Sequence, residues 1–557
     1  MDAILLILLI VGGATALSWP LGRHLRQAMD PVSLDGAAGR VDRWFRAFGG
    51  PLTRGDHGWK RYCFDLLTFN VVMFAISFVI LATQQWLPLN PDGKGELEGS
   101  LIFNTVASFT SNTNLQHYSG EASMSHLSQV CSLMWLQFVS PAVGLAALVA
   151  MARGLAGRAM GNFFVDVQRA TFLVMLPACV VLAPVLVLLG TPMTLAGSVT
   201  ATTLEGAEQV IARGPVAAFL AVKQLGTNGG GFFGPNSTHP FENPNFWTNV
   251  VSAIAIVVLP MSCVWMFGRI VGRMRHAAVV FAVMTALLLV KVGCAMAWEA
   301  APTPAFASLP ILHDTGNLEG KELRFGAAAG PLWAVLTTCT SNGSVNCMHD
   351  SLNPLTGMVP MVGMWLNATF GGVGVGLINM FLYIVLAVFL AGMMVGRTPE
   401  YLNRRVEVRE VKLAVLAVFA HALFVLGGTA LFAATPWGQS TLNNPGAHGF
   451  SEILYEFSSS SANNGSGFEG LGDNTVPWNV ATGLVMLLAR FIPILLPLAI
   501  AGSMSQKRST AQSAGTLAID TTTFGVMLLA TILFLGALTF FPAAVLGPVA
   551  EHLQFMK

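Results

Sequence analysis

Four short polar runs decide how this chain is read: Ser111-Asn112-Thr113-Asn114, Thr227-Asn228-Gly229-Gly230, Ser341-Asn342-Gly343-Ser344 and Asn463-Asn464-Gly465-Ser466. Aligned with Asn in the second place of each, they recur at intervals of 116, 114 and 122 residues. Each closes an apolar stretch (near 101–111, 215–226, 330–340 and 450–461) of a length that suits a re-entrant or core segment better than a span. A longer apolar segment precedes and follows each one. The unit is therefore span, half-helix, polar loop, span, repeated four times. Taken singly, such a Ser/Asn/Gly run is an ordinary turn; four at near-constant spacing, each after a half-span, argue for a built pore.

The physics of the unit is specific. Non-helical backbone at membrane depth survives only when buried in protein or lining a watery cavity. Four such loops around one axis turn carbonyl oxygens inward, and each half-helix aims its negative C-terminal end at the same place. Glycine supplies the conformations that direct carbonyls to the axis. No tetrad contains a carboxylate. Divalent ions are usually held in acidic oxygen cages, so the pattern favours a large monovalent cation.

Composition supports a membrane setting. Of the 557 residues 54% are hydrophobic and 10% charged, against about 25% charged in soluble domains. Ten segments are long enough to span: about 3–20, 63–87, 125–152, 170–190, 246–268, 277–298, 355–395, 412–433, 476–503 and 522–545. The expected fold is all-α and polytopic. It has an extra N-terminal helix and loop (1–62), repeats at 63–169, 170–276, 277–411 and 412–508, and an extra C-terminal helix and tail (509–557). With both termini outside, the inner connections hold 21 Lys and Arg and the outer ones 6, while 18 of the 28 carboxylates lie outside. This is the positive-inside asymmetry. The first apolar run lacks a basic n-region and precedes Arg23 and Arg26, so it reads as a span rather than a cleaved signal. The seven cysteines are scattered without CxxC spacing, which suits small buried hydrophobes.

Longer motifs carry a resemblance. Gly226-Thr-Asn-Gly-Gly-Gly-Phe-Phe233, His239-Pro-Phe-Glu-Asn-Pro244, Met348-His-Asp-Ser351, Gly396-Arg-Thr-Pro-Glu-Tyr-Leu402, Asn444-Pro-Gly-Ala-His-Gly-Phe-Ser451 and Gly547-Pro-Val-Ala-Glu551 resemble the A subunit family of the Kdp potassium-transporting ATPase. The likeness runs through essentially the whole chain. It implies the four-repeat fold shared with Trk/Ktr/HKT transporters, K+ as the transported ion, and the tetrads as its filter. It also implies a bacterial inner (plasma) membrane and partners: a P-type ATPase B subunit that consumes ATP, a C subunit and a small F subunit. Potassium would leave sideways, through an intersubunit tunnel. The chain has no Asp-Lys-Thr-Gly or Gly-x-x-x-x-Gly-Lys-Ser/Thr motif, so ATP hydrolysis is expected in the partner. Two other readings are a Trk/Ktr-like channel or symporter gated by a soluble nucleotide-binding ring, and a membrane enzyme on a fourfold scaffold. The last lacks a buried His/Asp/Glu constellation on facing spans.

Further residues stand out. Phe370-Gly371-Gly372-Val373-Gly374-Val375-Gly376 interrupts an apolar segment too long for one straight span. It reads as a broken helix with a gating loop, or as close packing at small residues. The family resemblance implies an acidic residue where this chain has Asn367. Arg490 lies mid-span and either lines the cavity below the fourth loop or pairs structurally. Lys291, near a span end, reads as snorkelling. Arg397, Arg404, Arg405 and Arg409 form a basic loop, an inner anchor or a docking surface. Gln116 can bond the filter loop or meet the ion. Glu121, Glu242, Asp350 and Asp473 follow the four loops as a cation-attracting vestibule or as solvated carboxylates. Asn236, Asn342 and Asn464 begin Asn-x-Ser/Thr sequons that read as incidental.

Overall fold

Long apolar runs become helices here because a helix satisfies every backbone N–H and C=O internally, which hydrocarbon demands. The computed structural model describes residues 3–303, 309–310, 315–396, 398–509 and 517–556. Among them, ten helices are long and apolar enough to cross a membrane: Ala3–Met29, Trp59–Ala82, Ser128–Leu155, Phe163–Leu188, Phe246–Val271, Met274–Glu299, Val375–Met394, Val408–Ala433, Val476–Ser505 and Thr522–Gln554. The chain is a multi-pass membrane protein. The expected spans recur with shifted ends. The first continues to Met29, the fourth begins at Phe163, and the last runs past a kink at Gly547.

The segment expected at 355–395 is two helices, Pro354–Leu366 and Val375–Val395. Asn367 ends the first in the left-handed conformation, φ 43°, as Asn tolerates at a C-cap. Phe370, Gly372 and Gly374 are also left-handed, so no helix can continue. The broken-helix reading describes this segment correctly.

Four shorter helices carry the polar loops: Gly99–Thr110, Val216–Leu225, Gly326–Cys339 and Gly446–Ala462. The spans around them differ in burial. The most apolar windows of Ser128–Leu155 and Phe246–Val271 are 83% buried, against 28% for Ala3–Met29, Trp59–Ala82, Phe163–Leu188 and Val408–Ala433. The first pair walls the core, and the latter four turn residues such as Val71, Val181 and Phe419 outward. Lipid gives no hydrophobic drive for helices to associate, so close packing at small residues does this. Gly22 shows it, since a Cβ there would lie 2.6 Å from Trp265 Cβ.

Ion pairs lock the basic side. Arg153 reaches Asp30 at 3.1 Å and Asp166 at 2.8 Å, and Arg169 reaches Asp42 at 2.6 Å. Arg404 donates to the Leu155 carbonyl at 2.8 Å, capping the third span, whereas Arg405 and Arg409 are exposed. Arg397 lies outside the described residues. Two antiparallel hairpins escape the sequence reading, Val199–Thr202 with Glu208–Ile211, and Glu400–Tyr401 with Arg404–Arg405.

Candidate ion-binding site

Each short helix ends in the same turn. The N–H of Thr113, Asn228, Asn342 and Asn464 donates to the carbonyl five residues back, on Ser108, Lys223, Thr337 and Ser459, at 2.9 Å in every case. This corrects the register of the first run. Its equivalent of Thr227-Asn228-Gly229-Gly230 is Asn112-Thr113-Asn114-Leu115, not Ser111-Asn112-Thr113-Asn114. Backbone angles agree: Asn112, Thr227, Ser341 and Asn463 have φ between 50° and 65°, and Asn114, Gly229, Gly343 and Gly465 between 56° and 105°. Ser111 instead closes the pore helix, bonding the Ser108 carbonyl and Thr113 Oγ1. Asn therefore does not hold the second place in every loop; Thr113 does so in the first.

The loops touch in the cyclic order one, two, three, four. A Cβ on Gly229 would overlap the Asn342 carbonyl, one on Gly343 the Asn464 carbonyl, and one on Gly465 the Thr113 carbonyl. Only glycine permits this approach at positive φ. Between the first two loops, Asn114 Nδ2 meets Asn228 Oδ1 at 3.4 Å. Asparagine amides tie neighbours together. Asn112 donates to the Thr227 carbonyl (2.8 Å), Asn342 to that of Lys223 (3.3 Å), Asn464 to that of Thr337 (2.9 Å), and Asn463 to Thr113 Oγ1 (2.9 Å). Ser344 Oγ and Ser466 Oγ bond their own Asn342 and Asn464 side chains. The loop residues are buried, Ser466 included, except Gly465, which is half-buried. Gly230 receives Gln137 on its carbonyl at 3.3 Å. The arrangement brings backbone carbonyls and hydroxyls together without a carboxylate, a donor set for a weakly hydrated monovalent cation.

Gln116 staples two loops rather than facing an open axis. It donates to the Gly231 carbonyl at 3.0 Å and accepts from Gly231 N–H at 2.7 Å. Above the ring lies a cavity of about 320 Å³ reached by Gln116, Gly343, Gly465 and Asp473. At its edge His117 contacts Asn479 (2.7 Å), Glu456 (3.3 Å) and Asp473 (3.7 Å). Burial alone would lower the His117 pKa, but Asp473 and Glu456 outweigh it and hold it at about 9.

The expected acidic vestibule does not form as a ring. Glu242 is buried against Lys223, Asp350 pairs with His448, and Glu121 accepts from Gly234 N–H. Of the four, Asp473 alone lines the cavity at the mouth. The sequons are internal as well, with Asn236, Asn342 and Asn464 all buried.

Directly beneath the ring sits the break in the seventh span. Val373 N–H donates to Thr227 Oγ1 at 3.1 Å, and Ser341 Oγ to Asn367 Oδ1 at 3.1 Å. Asn367 Nδ2 bonds the Ala462 carbonyl at 3.3 Å. The break thus touches loops two and three and the end of the fourth pore helix. Gly372 faces Thr227 and Ser341, Gly374 lies against the Gly144 backbone, and Gly371 packs on Gly376. Lys291 does not snorkel. It is buried and donates to Thr369 Oγ1 at 2.9 Å, on this same break. Arg490 is buried too, donating to the Ser140 carbonyl at 3.1 Å; Ser140 Oγ in turn bonds Asn112 Oδ1 at 2.7 Å. From Asn367 a small, mostly apolar cavity leads past Ser461, Asn379 and His421 to Phe540.

Residues 6–553 match the family described as Potassium-transporting ATPase A subunit. The chain is similar to the potassium-transporting ATPase potassium-binding subunit of Pseudomonas putida, 48% identical over 540 residues and 96% of each chain. The same-named protein of Geobacillus kaustophilus is 44% identical over 543 residues, again 96% of each. Among solved structures it resembles the potassium transporter TrkH from Vibrio parahaemolyticus, with a TM-score of 0.51 at 13% identity. That match covers 88% of this chain and 97% of the other, and shows a shared fold.

Proposed function

Because the chain belongs to the potassium-transporting ATPase A subunit family, we propose that it is the ion-binding subunit of an ATP-driven potassium importer in the bacterial inner membrane. Potassium enters from the acidic, outer side, loses its water at the ring of loops, and is passed to a P-type ATPase B subunit that spends the ATP. C and F subunits complete the complex. Both termini lie outside, and the repeats run 63–169, 170–276, 277–411 and 412–508. The observation that carries this reading is the fourfold 2.9 Å turn with its interlocking carbonyl and glycine contacts.

The ring residues Asn112, Thr113, Asn114, Thr227, Asn228, Gly229, Gly230, Ser341, Asn342, Gly343, Ser344, Asn463, Asn464, Gly465 and Ser466 form the filter, with Ser111 and Gln116 supporting it. Replacing a shell of water needs several oxygens at fixed positions, and the Asn amide ties supply that rigidity. The break through Gly371, Gly372, Gly374 and Gly376 blocks straight passage, held from the side by Lys291, while Arg490 braces the first loop through Ser140. The small cavity leaving Asn367 then supports a sideways route toward the partner. By its place in the sequence, in the basic loop with Arg404, Arg405 and Arg409, Arg397 is a candidate for coupling to the ATPase subunit.

ATP hydrolysis by the purified complex, titrated with potassium, rubidium and sodium, tests the reading. Gly230→Asp is the informative variant, since a side chain there would meet Asn114 Cβ at 2.8 Å. Insensitivity of hydrolysis to potassium, with the variant behaving as wild type, removes the filter assignment. Co-purification of a soluble nucleotide-binding ring instead of an ATPase favours the channel or symporter reading.

A further inference from the structure

One position behind the loops sets the second pore helix apart from the other three. The residue whose carbonyl receives the second-position N–H is Ser108, Thr337 and Ser459 in three repeats, and Lys223 in the second. In the third and fourth, this hydroxyl accepts directly from the glycine N–H of the loop: Thr337 Oγ1 from Gly343 at 2.8 Å, Ser459 Oγ from Gly465 at 2.9 Å. In the first, Ser108 Oγ donates to the Leu115 carbonyl at 2.9 Å. An ammonium has three donors and no acceptor, so the second repeat cannot make the glycine N–H tie.

It makes another. Lys223 is fully buried and places its three donors on Asn236 Oδ1 (2.5 Å), Ser237 Oγ (2.9 Å) and Glu242 Oε2 (2.5 Å). Asn236 Nδ2 then donates to the Gly229 carbonyl at 2.7 Å, and Asn236 Oδ1 also accepts from Val345 N–H beyond the third loop at 3.4 Å. The second oxygen of Glu242 accepts from Phe232 and Phe233 N–H at 2.7 and 3.1 Å. Every donor of the lysine is used, and both carboxylate oxygens are occupied. A well-packed apolar pair would serve stability as well as a buried ion pair does, so retaining the charges here favours a role in specificity. A lone ammonium behind a cation filter would repel the cargo, and Glu242 cancels that field.

We propose that Lys223 and Glu242 are positioning residues of the filter, fixing Asn236 so that it holds the Gly229 carbonyl and sets discrimination among monovalent cations. The inference rests on the filter reading above. It is tested in the purified complex by cation-stimulated ATP hydrolysis with potassium, rubidium and sodium, alongside thermal melting. Asn236→Gly removes the link while keeping the left-handed backbone, φ 58°. The double variant Lys223→Met with Glu242→Gln removes both charges and leaves neither uncompensated. Each is expected to change the ratio of half-stimulating rubidium to potassium at least about threefold, a change that loss of stability alone would not produce. Wild-type ratios in an intact Asn236→Gly complex overturn the proposal. If the double variant fails to assemble, Asn236→Gly alone decides. Gly343→Ala separates the two readings. If it shifts the ratios and Asn236→Gly does not, only this inference falls; if neither does, the filter reading falls with it.

Discussion

Replacing Gly343 with alanine probes the ring at its tightest kind of contact. Gly343 has φ 91°, which costs an L-residue about 1–2 kcal/mol. The added Cβ would also lie 2.9 Å from the Asn464 carbonyl carbon, and overlap its oxygen. Carbon atoms pack at about 3.5–4.0 Å, so the third and fourth loops must separate by roughly 0.6–1 Å. That displacement takes one carbonyl away from the ion. A hydrogen bond to a charged group, the nearest analogue, is worth about 1.5–3 kcal/mol. At 1.4 kcal/mol per tenfold, the half-stimulating potassium concentration rises about 10- to 100-fold. The assay is potassium-stimulated ATP hydrolysis by the assembled complex, with Gly293→Ala as the control. Gly293 lies in the sixth span with nothing within 4 Å of a built Cβ, and its variant is expected to match wild type. An intact Gly343→Ala complex with half-stimulation within about twofold of wild type would refute the loss of an ion-binding carbonyl.

Other consequences follow from the break beneath the ring and from the ion-paired cluster around His448. Gly374→Ala, whose Cβ would strike the Gly144 backbone at φ 82°, is expected to raise ATP-independent rubidium leak in proteoliposomes more than Gly372→Ala, whose nearest neighbour is 3.4 Å away. Equal, wild-type leak in both would deny the loop a blocking role. Lys291→Met removes the bond to Thr369 and should increase the same leak, whereas a lysine that merely reached the lipid surface would leave it unchanged. His448 links Asp350 and Glu551 at 2.8 Å each. Burial would lower its pKa, but those two carboxylates raise it to about 10, above the ordinary 6.5. A raised histidine stabilises the folded state fully below pH ~6.5 and loses that contribution as pH climbs through the folded value. His448→Gln should therefore lower the melting temperature at pH 7, with the difference shrinking toward pH 10; a pH-independent difference would exclude the charge as its source.

The loops were legible because two independent sequence signals coincide at them, a half-length apolar run and an Asn-Gly pair. Where one signal fades, so does the reading. The first loop has Asn114 in place of glycine, and either Asn112 or Thr113 can be taken as its second residue; the turn bonded to Ser108 settles the choice. The break at Asn367 was visible from segment length and glycine content, but its contacts with Thr227 and Ser341 join residues far apart in sequence. Lys291 looked like a snorkelling lysine because position along a helix gives depth but not the direction the side chain faces. Glu242 reads in sequence only as a vestibule or solvated carboxylate, and nothing there pairs it with Lys223. A lysine in a pore helix and a glutamate 19 residues later in a loop become partners only when the second loop folds back over its helix.

Under the proposed function, the ring made by Thr113, Asn228, Asn342 and Asn464 with their neighbouring residues holds a dehydrated monovalent cation. Thallium, a potassium-sized anomalous scatterer, tests this in crystals of the complex containing this chain. An anomalous peak enclosed by the four loops is expected, lost when Gly343 is replaced by alanine and competed away by potassium but not by sodium. A ring without a peak, with thallium bound instead only at the mouth beside Asp473, would contradict it.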